Sequence, residues 1–433
     1  MRKSNRWVIA LGILVMVGVA WYMLITTVRD TSKSYQTALN SARKFAKLKI
    51  NKDAEEKYFE AYNISPSYEL SVEIAKFYKN TGEDQEFLGY TESKLEEYPD
   101  SSELYDVLID YYSQQMFENC VDSFEQIDKR GISSKIIEKV RGKLEKEYEM
   151  GFVSYQDVKK YRNGFCAVMG DSGKWSYVTE KGNNVIDSRY LEATGFSGDG
   201  TAVVRDDEDC YIIDDEGNRK FVNTKKQSVE ECRALSEGLM AIKVNGKFIF
   251  VKDDFSEAFK GNYEDASVFF NGVTFVKNNG KWFLINEKGN RVGESEYDDV
   301  ILDEIGFSVR QKRAFVKQNG MVIMIDTNGK KIGQDSYEDA KPFNAEGYAA
   351  IKKNGKWGFV DINGKVVIEP KYENARSFSN GNAAIMENGK WGFINKKQSQ
   401  IVECRFDDAK DFSQKKSCFV KENEQWNLIV FYM

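Results

Sequence analysis

Hydrophobic and polar positions follow three different rhythms along the 433-residue chain. From Trp7 to Val28 the residues WVIALGILVMVGVAWYMLITTV run without a charge. At about 1.5 Å per residue this stretch predicts a helix of roughly 33 Å, against a hydrocarbon core of about 30 Å. Trp7 stands at one edge and Trp21 with Tyr22 near the other, where amphipathic rings settle at a bilayer interface. Gly18-Val19-Ala20 has the small residues of a signal-peptide cleavage site, but the apolar run continues eight residues beyond it. An uncleaved transmembrane helix is therefore expected, touching the lipid bilayer through Trp7 to Val28.

Between Thr31 and Met150 the period is helical. Ala54, Tyr58, Ala61 and Tyr62 recur at three- and four-residue intervals, as a helix with one buried face requires. Val72, Ala75, Phe77 and Tyr78 open a second pair, and Leu104, Val107, Leu108 and Tyr111 a third. Pro66 and Pro99, 33 residues apart, each end the second helix of a pair, because proline lacks an N–H and turns its predecessor away from helix. Period, small alanine positions and terminal proline resemble the tetratricopeptide repeat, though its Trp-Leu-Gly signature is missing. The resemblance implies an α-helical solenoid of about three degenerate units.

From Tyr155 onward the rhythm becomes that of short strands, and the sequence repeats itself. YEDAKPFNAEGYAAIKKNGKWGFVD from Tyr337 aligns with YENARSFSNGNAAIMENGKWGFIN from Tyr372. Further units begin at Tyr155, Tyr190, Val229, Tyr263, Tyr297 and Phe406, with start-to-start spacings of 35, 39, 34, 34, 40, 35 and 34 residues. There are thus eight, and the 40-residue unit carries an insertion between Ile301 and Arg313. Asn354-Gly355 joins Ala349-Ala350-Ile351 to Trp357-Gly358-Phe359-Val360, a type I′ hairpin signal. Asn363-Gly364 is expected to turn the chain again into Val366-Val367-Ile368, making each unit a three-stranded meander followed by a Tyr-Glu-Asp-Ala connector. Such a unit cannot bury both faces alone and must stack on its neighbours.

The hairpin aromatic falls at Trp175, Tyr211, Phe248, Trp282, Trp357, Trp391 and Trp426, with Val322 in the fifth unit. Its recurrence is what core packing demands; stacking on a sugar or peptide is the functional alternative. The Asn-Gly-Lys-Trp-Gly-Phe core resembles the bacterial WG-containing repeat, over about 280 residues. Trp357-Gly358 and Trp391-Gly392 keep the dipeptide; Trp175-Ser176, Trp282-Phe283, Phe248-Ile249 and Trp426-Asn427 have lost it. The resemblance implies a tandem β-array in a membrane-anchored or secreted protein, and it supplies no catalytic residue. The array starts on the connector and ends on a hairpin strand, an offset that suits a closed propeller or an open β-superhelix. Thirty-five residues is short for a four-stranded blade of about 40–45.

The expected fold is multidomain: a tail and transmembrane anchor over 1–28, tetratricopeptide-like helices over 29–150, and the array of eight WG-type repeats over 151–433. Charge follows these boundaries, with net +8 over 1–50, −12 over 51–150 and −2 beyond. Arg2, Lys3 and Arg6 before the span favour an inside N-terminus, so the expected location is a single-pass cell-membrane protein, mostly extracytoplasmic. Arg29, Lys33, Arg43, Lys44 and Lys47 after it pull the other way. The overall charge of −6 argues against nucleic acid as a partner.

There is no histidine, which removes Ser-His-Asp and Cys-His nucleophile pairs and the HExxH zinc site. Asp206-Asp207-Glu208-Asp209 lacks the spacing of a calcium loop and suits a solvated hairpin tip. Gly195, Gly198 and Gly200 have the wrong order for a dinucleotide loop. The six cysteines contain no CxxC pair, so buried free thiols are expected, with a Cys404–Cys418 disulfide permitted outside the cell. No cofactor, metal or catalytic residue is assigned, and the chain is expected not to be an enzyme. The function expected is a membrane-anchored binding or scaffold module for a protein or cell-wall polymer. The alternative is a histidine-independent hydrolase that uses Asp or Glu on a surface polymer.

Overall fold

The computed structural model describes the backbone of residues 4–115, 117–223 and 228–432, and their side chains apart from those of 4–15, 24, 115, 117 and 118. It divides into two units, Met1–Leu144 and Glu145–Met433.

The first unit is helical, with α1 (Ser4–Lys47), α2 (Asn51–Ile64), α3 (Tyr68–Thr81), α4 (Asp84–Glu97), α5 (Ser102–Gln115), α6 (Phe117–Arg130) and α7 (Lys135–Leu144). The periodic apolar residues supply its core: Ala54 and Ala61 of α2, Val72 and Ala75 of α3, and Leu104 and Leu108 of α5 are all buried. Pro66 and Pro99 lie between α2 and α3 and between α4 and α5, where a missing N–H costs nothing. Ser67 and Ser101 start the next helices by accepting the N–H of Leu70 and Leu104 at 3.2 and 3.1 Å, as N-cap serines do. Arg43 of α1 holds Glu73 of α3 through two nitrogens at 2.7 Å, and the Tyr58 hydroxyl donates to the same carboxylate.

Among the described residues no helix is long and apolar enough to cross a membrane. The transmembrane helix expected over Trp7–Val28 is therefore withdrawn, and with it the bilayer contact and the single-pass, extracytoplasmic location. α1 runs on without a break through Arg29, Asp30 and Lys33. The part of the expected span with described side chains begins at Met16 and reaches only about 20 Å by Val28. The Trp7 side chain lies outside the described residues.

The second unit is an eight-bladed β-propeller. Seven antiparallel sheets have four strands each, and the third blade has three, completed by isolated bridges from Phe248 to Tyr263 and Val251 to Glu257. In blade 6 the strands are Asp339–Ala340, Tyr348–Lys353, Lys356–Asp361 and Val366–Tyr372, in that order from the axis outward. The expected three-stranded meander is thus a four-stranded blade. The connector holds the missing strand: Tyr372 ends one outer strand, and Asn374–Ala375, two residues on, is the inner strand of blade 7. An inner strand of two residues is how a 35-residue unit completes a blade.

The ring is closed. Tyr148–Tyr155, at the head of the unit, pairs antiparallel with Gln425–Phe431 near its end and becomes the outer strand of blade 8. Tyr148 faces Phe431, and Tyr155 faces Trp426. Each sheet is covered on both sides by its neighbours, so middle strands are apolar runs rather than alternating ones. Ala349, Ala350 and Ile351 are all fully buried.

Two turns recur in each well-preserved unit. Asn354 and Gly355 both take positive φ (54° and 75°), the type I′ turn that the Asn-Gly pair requires. The second turn departs from expectation: Gly364 is left-handed at φ 80° but Asn363 is not. Asp361 instead ties the loop, its Oδ1 accepting the N–H of Asn363 and Lys365 at 2.8 and 2.9 Å. A type I turn closed by a left-handed glycine results.

Candidate functional site

The seven residues that define the repeat all lie on third strands. Trp175, Trp282, Trp357, Trp391 and Trp426 are between 3 and 9% exposed, so none offers a face to a sugar or peptide. Each indole pairs with the aromatic of the connector: Trp357 with Tyr372, Trp391 with Phe406, Trp282 with Tyr297. A cation just past the inner strand covers the indole in four blades, with Lys159, Lys341, Arg376 and Lys410 at 4.7 to 5.5 Å from Trp175, Trp357, Trp391 and Trp426.

Gly358 and Gly392 answer to the outer strand. A Cβ at Gly358 would sit 2.5 Å from the Ile368 carbonyl oxygen and 2.6 Å from Pro370 N; at Gly392 it would sit 2.6 Å from the Val402 oxygen. The outer strand bulges here, placing three residues between Ile368 and Tyr372 opposite Gly358 alone. Where the dipeptide is lost to Phe283 or Ile323, the bulge holds four residues and starts on a left-handed glycine, Gly293 or Gly333. The longer bulge makes room for the larger side chain.

The acidic run Asp206–Asp209 forms a hairpin tip in blade 2, where the Asp206 carboxylate accepts the N–H of Glu208 and Asp209 and the Tyr211 hydroxyl. Gly195 makes space for a neighbour, because its missing side chain leaves room for Arg162, whose Cδ would lie 3.1 Å from a Cβ there. The six cysteines are unpaired, five of them buried, and Cys404 is not bonded to Cys418.

The feature with no clear mark in the sequence pattern lies on the axis. Loops between inner and second strands of all eight blades meet in one pocket of about 460 Å³. At the start of these loops stand Ser197, Ser236, Ser379 and Ser413 in four blades, Asn344 in blade 6 and Phe270 in blade 4. Blades 1 and 5, opposite each other in the ring, have arginines instead, Arg162 and Arg310. The insertion in the 40-residue unit carries Phe307 to the axis, with the Arg162 Cζ 3.9 Å and the Arg310 Cζ 4.0 Å from its ring centroid. Arg310 also lies 4.2 Å from the Phe270 ring. Burial, then repulsion from Arg310, pushes the Arg162 guanidinium down to about 9, and burial lowers Arg310.

Beneath the pocket a second set of charges braces the ring. Lys160 of blade 1 meets Asp411 of blade 8 at 2.8 Å and also donates to Asn344 of blade 6. Glu304, from the insertion, pairs with Lys410. Burial works against ionisation of Asp411, but Lys160 and Arg376 outweigh it and hold the carboxyl below the usual range. A carboxylate with a lowered folded pKa contributes stability above its unfolded value near 3.9 and loses it as pH falls through the folded value. Asp411→Asn is expected to cost about 3–5 kcal/mol at pH 7 by urea denaturation, and less at pH 3. An equal loss at both pH values would show that Asp411 acts by shape rather than by charge.

Sequence comparison locates the repeat on this frame. The WG containing repeat model matches residues 175–208, 250–282, 324–357, 357–391 and 391–426. The last two matches run from one hairpin tryptophan to the next, so a sequence repeat joins the outer half of one blade to the inner half of the following one. No curated protein matches the sequence significantly. Among solved structures, Hsv2 of Kluyveromyces lactis is 10% identical with a TM-score of 0.38, covering 57% of this chain and 93% of that one. The WD40 domain of SCAP from fission yeast is 8% identical, TM-score 0.37, over 66% and 98%. A eukaryotic initiation factor is 13% identical, TM-score 0.41, over 63% and 83%. These scores are too low to bear on the fold, and the blade count rests on strand pairing. The chain thus carries WG-containing repeat matches in five stretches between residues 175 and 426, with 209–249 and 283–323 unmatched.

Proposed function

We propose that the chain is a binding module whose propeller receives an extended peptide of a partner protein in its axial pocket. The observation that carries this reading is the convergence of all eight inner loops on one cavity where departures from the repeat gather. Residues shared by every unit serve packing; Arg162, Arg310 and Phe270 break the repeat and line one spot, with Phe307 of the insertion buried against both arginines. Side-chain amides and hydroxyls at the rim, such as Asn163, Asn380 and Ser236, match the donors and acceptors of a peptide backbone. The helical pairs, tetratricopeptide-like in period, offer a second protein-binding surface. A protein partner is favoured over a cell-wall polymer, because the tryptophans that would stack on sugar rings are buried.

Hydrolysis by Asp or Glu finds less support. A general acid needs its pKa raised, and among the described residues the carboxyls with a resolved shift, such as Asp199, Asp206, Asp298 and Asp411, are all moved down.

Gly198 provides the test. It lines the pocket, its φ is not left-handed, and no atom lies within 4 Å of a Cβ built there. Gly198→Trp is therefore expected to leave the melting temperature unchanged while filling the mouth. Peptides selected from a random display library on the full chain should lose at least tenfold in affinity for this variant. Undiminished binding would place the peptide site elsewhere.

A further inference from the structure

Arginines elsewhere around the axis have acidic partners. Arg205 pairs with Glu192 at 2.8 Å, Arg233 with Glu231 and Asp265 at 2.8 and 3.2 Å, and Arg376 with Asp408 at 3.2 Å. Arg162 and Arg310 have none within ion-pair distance among the described residues. Arg162 donates from Nε to the Phe196 carbonyl at 2.9 Å, while its Nη1, like the Nε of Arg205 and of Arg376, is buried without a hydrogen-bond partner. Leaving a buried charged donor unmade costs more than an ordinary hydrogen bond contributes.

The nearby acids are occupied. Asp303 Oδ1 accepts the N–H of Ile305 and Phe307, the two oxygens of Glu237 accept those of Asn271 and Gly272, and Glu180 accepts that of Lys415. Lys160 is held by Asp411. Arg162 and Arg310 line the same cavity, and each guanidinium carbon lies over the Phe307 ring, at 3.9 and 4.0 Å from its centroid. A planar fork of N–H donors fits a carboxylate with two bonds, and the Phe307 ring beside both arginines, with Phe270 beside Arg310, limits how far the guanidiniums move.

We propose that Arg162 and Arg310 form an anion site that takes one carboxylate, an Asp or Glu side chain or a chain end, carried by the peptide in the axial pocket. The proposal rests on the peptide-binding reading above and names the chemistry of its ligand. A dianion fits less well, because the Glu180 and Glu237 carboxylates line the same cavity and repel added negative charge.

Titration calorimetry on the full chain tests the site with four probes: acetyl-Gly-Gly-Glu-Gly-Gly-amide, its Gln counterpart, acetate and inorganic phosphate. The Glu peptide is expected to bind at least tenfold more tightly than the Gln peptide and than either small anion. Arg310→Gln should abolish that preference with an unchanged melting temperature, and Arg310→Lys should retain part of it. Should Arg310→Gln fail to fold, Arg162→Lys carries the same comparison, since lysine keeps the charge and loses the fork. Equal affinity for the two peptides, or binding of neither, overturns the carboxylate site. Phosphate binding more tightly than the Glu peptide overturns it in favour of a dianion, and acetate binding as tightly removes the peptide. Library-selected peptides that lose affinity with Gly198→Trp but not with Arg310→Gln would remove the anion site and leave the peptide-binding reading standing.

Discussion

Gly358→Val is expected to destabilise the propeller by about 3 kcal/mol, at the upper end of overpacking costs. The loss comes from backbone. A Cβ at this position meets the Ile368 carbonyl oxygen, Pro370 N and the Glu369 carbonyl carbon at 2.5 to 2.8 Å, and none of these can swing away as a flexible side chain would. Thermal unfolding followed by tryptophan fluorescence should show a midpoint lower by several degrees. Blades 4 and 5 suggest the remedy, because Phe283 and Ile323 occupy the same position beside a bulge one residue longer. A glycine inserted after Ile368 in the Gly358→Val background should therefore recover part of the loss. If the insertion lowers stability further, the close approach of the outer strand is not the reason for glycine here.

Ending the chain after Glu424 is expected to have a larger effect. It removes Gln425–Phe431, the third strand of blade 8 and the partner of Tyr148–Tyr155. Phe419, Cys418 and Val420 on the remaining strand, now fully buried, would lose their cover, and the ring would stand open with unpaired edges on both sides. Cooperative unfolding of the propeller should disappear, with loss of near-ultraviolet circular dichroism and a shift to aggregates in size exclusion. A truncated chain that still melts near the parent temperature would mean that closure contributes little to holding the ring.

Much of this architecture can be followed in the residues. Asn354-Gly355 predicts its own turn because both residues must take positive φ, a property of two residues and nothing farther away. The recurrence of Trp357, Trp391 and Trp426 predicts burial for a similar reason: an aromatic kept at one phase of a repeat is packed against the neighbouring unit. The inner strand is hidden in the sequence because Asn374–Ala375 is too short to show an alternation. The apolar run from Trp7 misleads because its composition says nothing of the helix that contains it, which continues into charged sequence as far as Lys47.

The axial pocket is the least legible part, though the sequence holds two signals. One is the insertion after Ile301, which shows there only as extra length. The other is the departure at Arg162 and Arg310 from the serine of four other units. Neither says that the two arginines meet at one ring.

What the sequence determined by itself was local and periodic: eight units, their hairpin turns, the buried aromatics and the absence of histidine chemistry. The tertiary structure decided closure, the short inner strand that completes a blade, the room that Gly358 must leave, and the site. The physical reason is range. Turns and alternation depend on neighbours a few residues apart, whereas Tyr148 meets Phe431 and Arg162 meets Phe307 only once the ring has brought distant units to one edge and one axis.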